Sequence, residues 1–135
     1  MFVKQMSADE WEDRADHGSV LAEPTWEQVR QAIDALDGNR KTLLTISDAE
    51  GSDHYMLIAG RWDGRFMVNA TKDNFDFFSL VDPEQPGDLL TLYVGGQDGE
   101  YEAGKCVPRA WAEEAARYFF ETGDLKPGMN WVSDY

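Results

Sequence analysis

The sequence predicts an α+β fold, in which an antiparallel, meander-like β-sheet of about five or six strands packs against two main helices. A capped helix opens at Thr25, and a second apolar helical pattern runs from Pro108 to Glu121. Between them lie β-type runs separated by glycine-containing turns, an arrangement typical of α+β domains. A length of 135 residues suits one domain. We therefore expect a single domain over residues 1–135, with residues 1–24 as an N-terminal strand and loop extension.

The N-terminal extension has weak signals for regular structure. A short strand is predicted over Phe2 to Gln5. The acidic stretch that follows contains Trp11 and continues to Pro24, and its composition predicts a loop.

The first helix is predicted to begin at Thr25 and to end at Asp37-Gly38. Thr25 and Gln28 have capping-box spacing, in which each side chain bonds the other residue's backbone N–H. The helix then carries one apolar stripe at helical spacing, formed by Trp26, Val29, Ile33 and Leu36.

Three β-type runs follow the helix and predict the meander. They span Thr42 to Ser47, His54 to Gly60 and Arg65 to Thr71. Asp63-Gly64 separates the last two, and this dipeptide favours a tight hairpin because type I′ turns need positive φ at both central positions.

Weaker strand signals occupy the next forty residues. Phe75 to Leu80 is predicted to be a short extended segment, and Pro83 to Gly87 a loop. A second strand pair, Leu89 to Val94 and Glu100 to Val107, is predicted around a glycine-rich turn over Gly95 to Gly99.

The second helix is predicted to begin with Pro108 at its first position and to close at Gly123. The tail that follows carries Trp131 and Tyr135, and two large aromatic residues favour a packed tail. For Trp131 we favour packing against the core over exposure to a partner.

Composition limits the class of partner. The net charge of -14 repels phosphates, so we expect neither direct nucleic-acid binding nor membrane binding. No apolar run reaches the ~18 residues of a membrane span, and the N-terminus lacks a signal-peptide pattern. These features predict a cytoplasmic protein. They leave its oligomeric state open, and for the free protein we favour a monomer. The single cysteine, Cys106, is predicted to be a buried structural thiol.

Residues for catalysis are scarce. The two histidines, His17 and His54, have no second His or Cys at a metal-binding spacing. His54 is expected to be an exposed or partly buried strand residue bonded to a backbone carbonyl. The glycines near Gly95 lack the phosphate-loop pattern and its lysine. Carboxylates are plentiful, but most fall in predicted turns or on outer helix faces. We therefore predict no enzymatic activity, cofactor or metal, and a hydrolase or transferase is the weaker alternative.

Acidic residues are concentrated in one segment. Between Lys72 and Lys105 the sequence has no lysine or arginine, and this stretch either provides solubility or attracts a basic partner protein.

Aromatic residues are further candidates for a binding surface. Trp11, flanked by acids, is either a binding residue or a loop tryptophan folded over the sheet edge. Phe75, Phe77 and Phe78 are too close for strict alternation to bury all three, which leaves either an exposed anchor or packing beneath a loop. The candidate partner-binding residues are Asp73, Asp76, Phe77, Asp82, Glu84, Asp88, Asp98, Glu100 and Trp11.

Four pieces, in this order, carry a resemblance to a known family. They are Leu36-Asp37-Gly38 before a strand, Val94 to Tyr101 with its Gly-Gly-Gln, the Ala112 to Phe120 helix, and Thr122 to Leu125 leading to Trp131. Over roughly residues 24–131 the chain resembles the first-numbered immunity family of bacterial polymorphic-toxin systems, whose members are often encoded beside deaminase toxins. The resemblance implies an α+β domain without enzymatic activity that binds a cognate toxin in the producing cell's cytoplasm. It transfers no contact residues.

Together these observations predict an immunity protein that neutralises a basic toxin domain, expected to be a nucleic-acid-acting deaminase, by covering its substrate site. The alternative is an acidic interaction or regulatory module with a non-toxin partner.

Overall fold

Two helices lie against one face of a large antiparallel sheet. The computed structural model describes residues 1–85 and 87–134. Helix α1 is Trp26–Ala35 and helix α2 is Arg109–Thr122. Two helices against one sheet confirm the α+β prediction.

Among the described residues the sheet contains eight strands, more than the five or six predicted, and every pair is antiparallel. The order is β12-β8-β7-β6-β5-β1-β4, with β11 paired to β7. These strands are β1 Gln5–Ala8, β4 Ser19–Ala22, β5 Leu43–Ser47, β6 Tyr55–Trp62, β7 Arg65–Thr71, β8 Phe77–Leu80, β11 Val107–Pro108 and β12 Trp131–Ser133.

The N-terminal segment supplies the strands that the sequence prediction missed. The strand predicted over Phe2 to Gln5 lies instead at Gln5–Ala8, and it pairs with both β5 and β4. The loop prediction is wrong because Ser19–Ala22 forms the sheet edge and Trp11–Glu12 (β2) pairs with Ala15–Asp16 (β3). These strands are two to four residues long and largely exposed, so their sequences show no alternation of apolar and polar residues from which a strand could be predicted.

The predicted meander β5-β6-β7 is confirmed, and the extended segment predicted over Phe75 to Leu80 continues it as β8. Its β6-β7 turn has positive φ at both Asp63 (48°) and Gly64 (73°), as type I′ geometry requires. One cross-strand row, Met6, Ile46, Met56 and Ala70, is buried on the helix-covered face. Since side chains alternate along a strand, the next row faces the opposite side of the sheet.

The helices close the core over that buried face. Thr25 forms both bonds of the predicted capping box, and α2 ends at Gly123 with φ 76°. Pro108 is the N-cap of α2 and not its first helical residue. The buried helix side chains are Val29, Ile33, Ala112, Ala115, Ala116, Phe119 and Phe120.

A separate two-stranded hairpin lies over the other face of the sheet. Its strands are β9, Leu89–Val94, and β10, Gln97–Glu102. Val94 pairs with Gln97, so the turn contains only Gly95-Gly96, and β10 begins three residues before its predicted start. Residues 103–105 form a 3₁₀ turn and end the predicted strand early. Cys106 follows this turn and is buried, as predicted, and burial raises its thiol pKa.

The tail packs on the sheet. Strand β12 pairs with β8, and Trp131 contacts the core cluster, which confirms the favoured prediction. Pro83 and Glu84 form a turn, while Pro86 and Tyr135 lie outside the described residues. Nowhere in residues 1–85 and 87–134 is a helix long and apolar enough to cross a membrane.

Candidate functional site

A groove opens where the β9-β10 turn approaches the β2-β3 hairpin. Its volume is about 550 Å³. We call it the Trp11 groove; it is lined by Trp11, Glu12, Asp13, Asn39, Arg40, Tyr93 and Asp98. It brings together two of the predicted partner-binding residues, Trp11 and Asp98, which are far apart in sequence.

The buried carboxylate of Asp9 positions this groove. It accepts backbone N–H bonds from Thr42 (2.7 Å) and Leu43 (2.8 Å), and the Thr42 hydroxyl also donates to it. The indole Nε1 of Trp11 donates to the same carboxylate at 2.8 Å. Because Asp9 is 9% exposed, these bonds lie away from competing water and fix the indole against the start of β5.

The same cluster holds the hairpin turn. Gly95 N donates to the Thr42 hydroxyl at 2.9 Å. Gly96 has φ 84° and lies under the Trp11 ring, where a Cβ would come within 2.4 Å of an indole carbon. A glycine is therefore required at Gly96 both by its backbone conformation and by the packed indole.

The hairpin presents an acidic surface to solvent. Register places Asp98 opposite Tyr93, Glu100 opposite Thr91 and Glu102 opposite Leu89, so these six side chains share one side. Leu92, Val94 and Tyr101 point to the other side, and the last two line a cavity against the main sheet. The outward side is the acidic hairpin face, and its three carboxylates follow one another at about 6.8 Å per two-residue step.

These acids have few cationic neighbours. In the part of the chain that the structure describes, no lysine or arginine pairs with Asp13, Asp98, Glu100 or Glu102 within 4.0 Å. Arg40 is held by Glu12 at 3.9 Å and donates to the Trp11 carbonyl at 3.0 Å. The groove and the adjoining face therefore carry uncompensated negative charge toward solvent.

The other predicted residues do not all lie here. Asp88 is exposed beside the base of the hairpin, where its carbonyl accepts from Ala103 N, and Glu84 is exposed in the preceding turn. Asp73 and Asp76 are exposed in the β7-β8 loop, next to half-buried Phe77.

Asp82 has a role inside the fold. It is 6% exposed and pairs with Arg65 at 3.0 Å. A backbone N–H from Glu84 and the Arg65 guanidinium lower its carboxyl pKa. The structure therefore leaves Asp82 no free carboxylate for a partner.

Two further predictions concern the aromatic residues. Trp11 is half-buried against Gly96, so its ring packs over the hairpin turn as well as lining the groove. Phe75 is 76% exposed, which makes it the exposed member of the Phe75, Phe77 and Phe78 group. His54 is half-buried, and its Nε2 lies 2.6 Å from the Gly123 carbonyl oxygen, as predicted, but His54 precedes β6 and does not open it.

The family model described as Immunity protein Imm1 matches residues 17–133. The chain belongs to the Imm1 immunity family. This confirms the resemblance seen over roughly residues 24–131. No curated protein sequence matches the chain.

The Imm1 match includes both helices and the acidic hairpin face, but it begins after Trp11, Glu12 and Asp13. In this Imm1 protein those three residues contribute one wall of the groove, in front of the matched segment.

Sequence reasoning missed one residue of the acidic hairpin face and several residues of the groove in this Imm1 protein. Glu102 lies in the basic-free stretch and would follow from the alternation of β10 once the two-residue turn is recognised. Tyr93, Asn39 and Arg40 have no signal of their own, because only the tertiary approach of three loops brings them together. In the sequence Asp9 is one of several neighbouring acids. Its burial depends on hydrogen bonds with Thr42 and Leu43, which lie 33 and 34 positions further along the chain.

Proposed function

We propose that this Imm1 protein binds a cognate toxin domain in the producing cell's cytoplasm and neutralises it by covering a basic substrate site. The observation that carries the proposal is the convergence of unpaired carboxylates and two aromatic side chains at the Trp11 groove and the acidic hairpin face. Imm1 membership supports a toxin as the partner. A deaminase acting on nucleic acid is the toxin chemistry we propose.

Charge complementarity is the physical basis of the proposal. An enzyme that acts on nucleic acid needs cationic side chains along its substrate groove to neutralise phosphates. A row of carboxylates on a β-hairpin offers the same sign of charge at the regular spacing of a strand. Such complementarity accelerates association and selects basic partners.

Trp11 and Tyr93 supply the apolar part of the contact. Aromatic side chains at the centre of an interface contribute much of its free energy, whereas exposed rim charges mostly alter the association rate. Trp11 is also held by Asp9, so its ring is ordered before the partner arrives. We therefore assign affinity mainly to the aromatic pair and association rate mainly to the carboxylates.

The test is co-expression of this chain with the toxin domain encoded beside its gene, scored by growth rescue and by co-purification of a stoichiometric complex. The purified toxin is then assayed for deamination of cytosine and adenine in DNA and RNA, with and without the chain. Rescue without inhibited deamination would refute the deaminase assignment. Killing without complex formation would refute the toxin proposal and favour a non-toxin partner.

A triple variant tests the acidic hairpin face. Asp98→Asn, Glu100→Gln and Glu102→Gln remove three charges while retaining side-chain size, and we expect the association rate to fall by about 10-fold or more at low salt. The matched control neutralises three exposed acids of the β5-β6 connection, Asp48, Glu50 and Asp53. Equal effects of the two triples would show that only net charge matters and would refute a specific role for this face.

A further inference from the structure

A second recess lies at the opposite end of the sheet, between the β7-β8 loop and the end of α2. Its volume is about 180 Å³. We call it the Asp76 pocket; it is lined by Ala70, Thr71, Lys72, Asp73, Asp76, Phe78, Phe119, Gly123 and Leu125. Its deep residues are apolar: Ala70 and Phe119 are at most 2% exposed, and Phe78 and Leu125 are half-buried.

The mouth of this pocket is acidic. Lys72 is the one cation among the lining residues, and its ammonium pairs with the Asp124 carboxylate. Asp73 and Asp76 are exposed, and neither pairs with a lysine or arginine within the described residues. Three carboxylates and one ammonium leave two negative charges around an apolar interior.

The loop fixes where these charges lie. One oxygen of Asp73 accepts the backbone N–H groups of Phe75 and Asp76, each at 2.9 Å. These bonds from Asp76 and Phe75 lower the Asp73 pKa, which keeps the carboxylate charged. Within the described residues the second oxygen of Asp73 accepts no hydrogen bond, and the exposed carboxylate of Asp76 lines the same pocket.

We propose that the Asp76 pocket receives one arginine side chain of the bound toxin, with its aliphatic stem against Phe78, Phe119 and Leu125 and its guanidinium at Asp73 and Asp76. The assignment rests on the proposed function, since it takes the toxin as the partner. Arginine fits better than lysine because its planar guanidinium stacks on aromatic rings and donates two parallel bonds to a carboxylate.

The size of the pocket supports a single side chain. An engineered apolar cavity of about 150 Å³ holds one benzene ring, so 180 Å³ accommodates the seven heavy atoms of an arginine side chain. Pockets for cofactors and drug-sized ligands run from roughly 300 to 1,000 Å³. The Asp76 pocket is therefore too small for that class of ligand.

The pocket and the acidic hairpin face lie on opposite faces of the sheet. Ala70 and Phe119 line the pocket on the helix-covered face, whereas Val94 and Tyr101 of the hairpin cover the other face. The pocket therefore offers a separate contact, for a part of the toxin that extends around the β7-β8 end of the sheet. The exposed ring of Phe75 stands next to the pocket and adds apolar contact area there.

The experiment measures binding of the catalytically inactivated toxin domain to the full-length chain and its variants. Asp73→Asn with Asp76→Asn removes both charges, and Asn retains a side-chain oxygen that can accept the loop N–H bonds. We expect roughly 10-fold or greater loss of affinity from the lost charge-assisted bonds. The control is Asp48→Asn with Glu50→Gln, which makes the same charge change at two exposed acids of the neighbouring β5-β6 connection, outside the pocket lining.

A second variant tests the apolar part independently. Leu125→Trp places a bulky ring at a half-buried wall of the pocket, and we expect weaker toxin binding with an unfolding midpoint near that of the wild type. Toxin arginines are then replaced one by one by lysine. One of these replacements should weaken wild-type binding yet have little further effect on the Asp73→Asn, Asp76→Asn variant.

The outcomes separate the two proposals. Failure of the wild-type chain to bind the toxin refutes the proposed function, and the pocket assignment with it. A tight complex in which the double and control variants bind equally refutes only the pocket assignment. Coupling to a toxin lysine, or sensitivity to Leu125→Trp alone, overturns arginine as the occupant.

Discussion

Replacing Gly96 by alanine should uncouple the hairpin turn from the N-terminal segment. Gly96 has φ 84°, and a Cβ built there would lie 2.4, 2.6 and 2.7 Å from three atoms of the Trp11 indole. Real Cβ atoms do not approach other atoms so closely, so either the ring or the turn must move. Movement of the ring breaks its bond to Asp9.

Two costs add to give the magnitude. Alanine in the left-handed region costs about 1–2 kcal/mol. Loss of the indole bond to the Asp9 carboxylate costs roughly 1.5–3 kcal/mol, the range for hydrogen bonds to charged groups. We therefore expect Gly96→Ala to lower the free energy of unfolding by about 2.5–5 kcal/mol.

The neighbouring glycine provides a matched control. Gly95 has φ 61°, and its added Cβ would find only Leu43 Cδ2, at an ordinary 3.7 Å. Gly95→Ala should therefore cost only the backbone strain of about 1–2 kcal/mol. Urea unfolding followed by tryptophan fluorescence measures both variants, and each is repeated in a Trp11→Ala background.

Comparing the two glycine variants with and without Trp11 tests whether the indole is what restricts position 96. In the Trp11→Ala background the two alanine variants should cost nearly the same, because the clash has been removed. If Gly96→Ala costs no more than Gly95→Ala while Trp11 is present, the packing of the indole on the turn is not what restricts this position.

Three further predictions address other parts of the molecule. The pKa of Asp82 is lowered below the ordinary 3.8, so its ionised carboxylate stabilises the fold at neutral pH, and this stabilisation is lost as the pH falls through the lowered pKa. The difference in unfolding free energy between the wild type and Asp82→Asn should therefore disappear in acid. Urea unfolding across a pH series measures this difference. Thr25→Ala should lower stability by about 1 kcal/mol through loss of the N-cap, as measured by urea unfolding, whereas Thr25→Ser should not. Cys106 should resist a thiol reagent in the native protein and react at once in urea; rapid native labelling would contradict its burial.

The elements with strong periodic patterns were predictable. Helix α1 begins at the predicted cap, and β5, β6 and β7 fall within one or two residues of their predicted bounds. In each of these elements the local preference and the tertiary environment agree. Alternation and caps are local signals, and the core requires the same residues that carry them.

The strands that were missed lack such agreement. Ser19–Ala22 is exposed along its whole length, so no buried face imposes alternation on it. Gln97, Asp98 and Gly99 are residues common in turns, yet they lie in β10 because Gly95-Gly96 alone completes the reversal. All five residues from Gly95 to Gly99 have the composition of a turn, so the sequence alone does not show that only two of them form it.

The candidate site shows the same limit. Charge alone located the acidic stretch, but its members separate into the hairpin face, the β7-β8 loop and the buried Asp82. Trp11 and Asp98 line one groove because Asp9 bonds both Trp11 and Thr42, and Asp9 and Thr42 are 33 positions apart in the sequence. Long-range contacts of this kind have no periodic signature in a single sequence.

The β9-β10 hairpin forms its own two-stranded sheet outside the main one, and its outward side chains take no part in the core. Substitutions on that side therefore carry little folding penalty, and partner choice can diverge while the scaffold is inherited unchanged. Under the proposed function, exchanging residues 89–102 between related immunity proteins, with Trp11 retained to pack on the turn, should transfer toxin specificity with the exchanged segment.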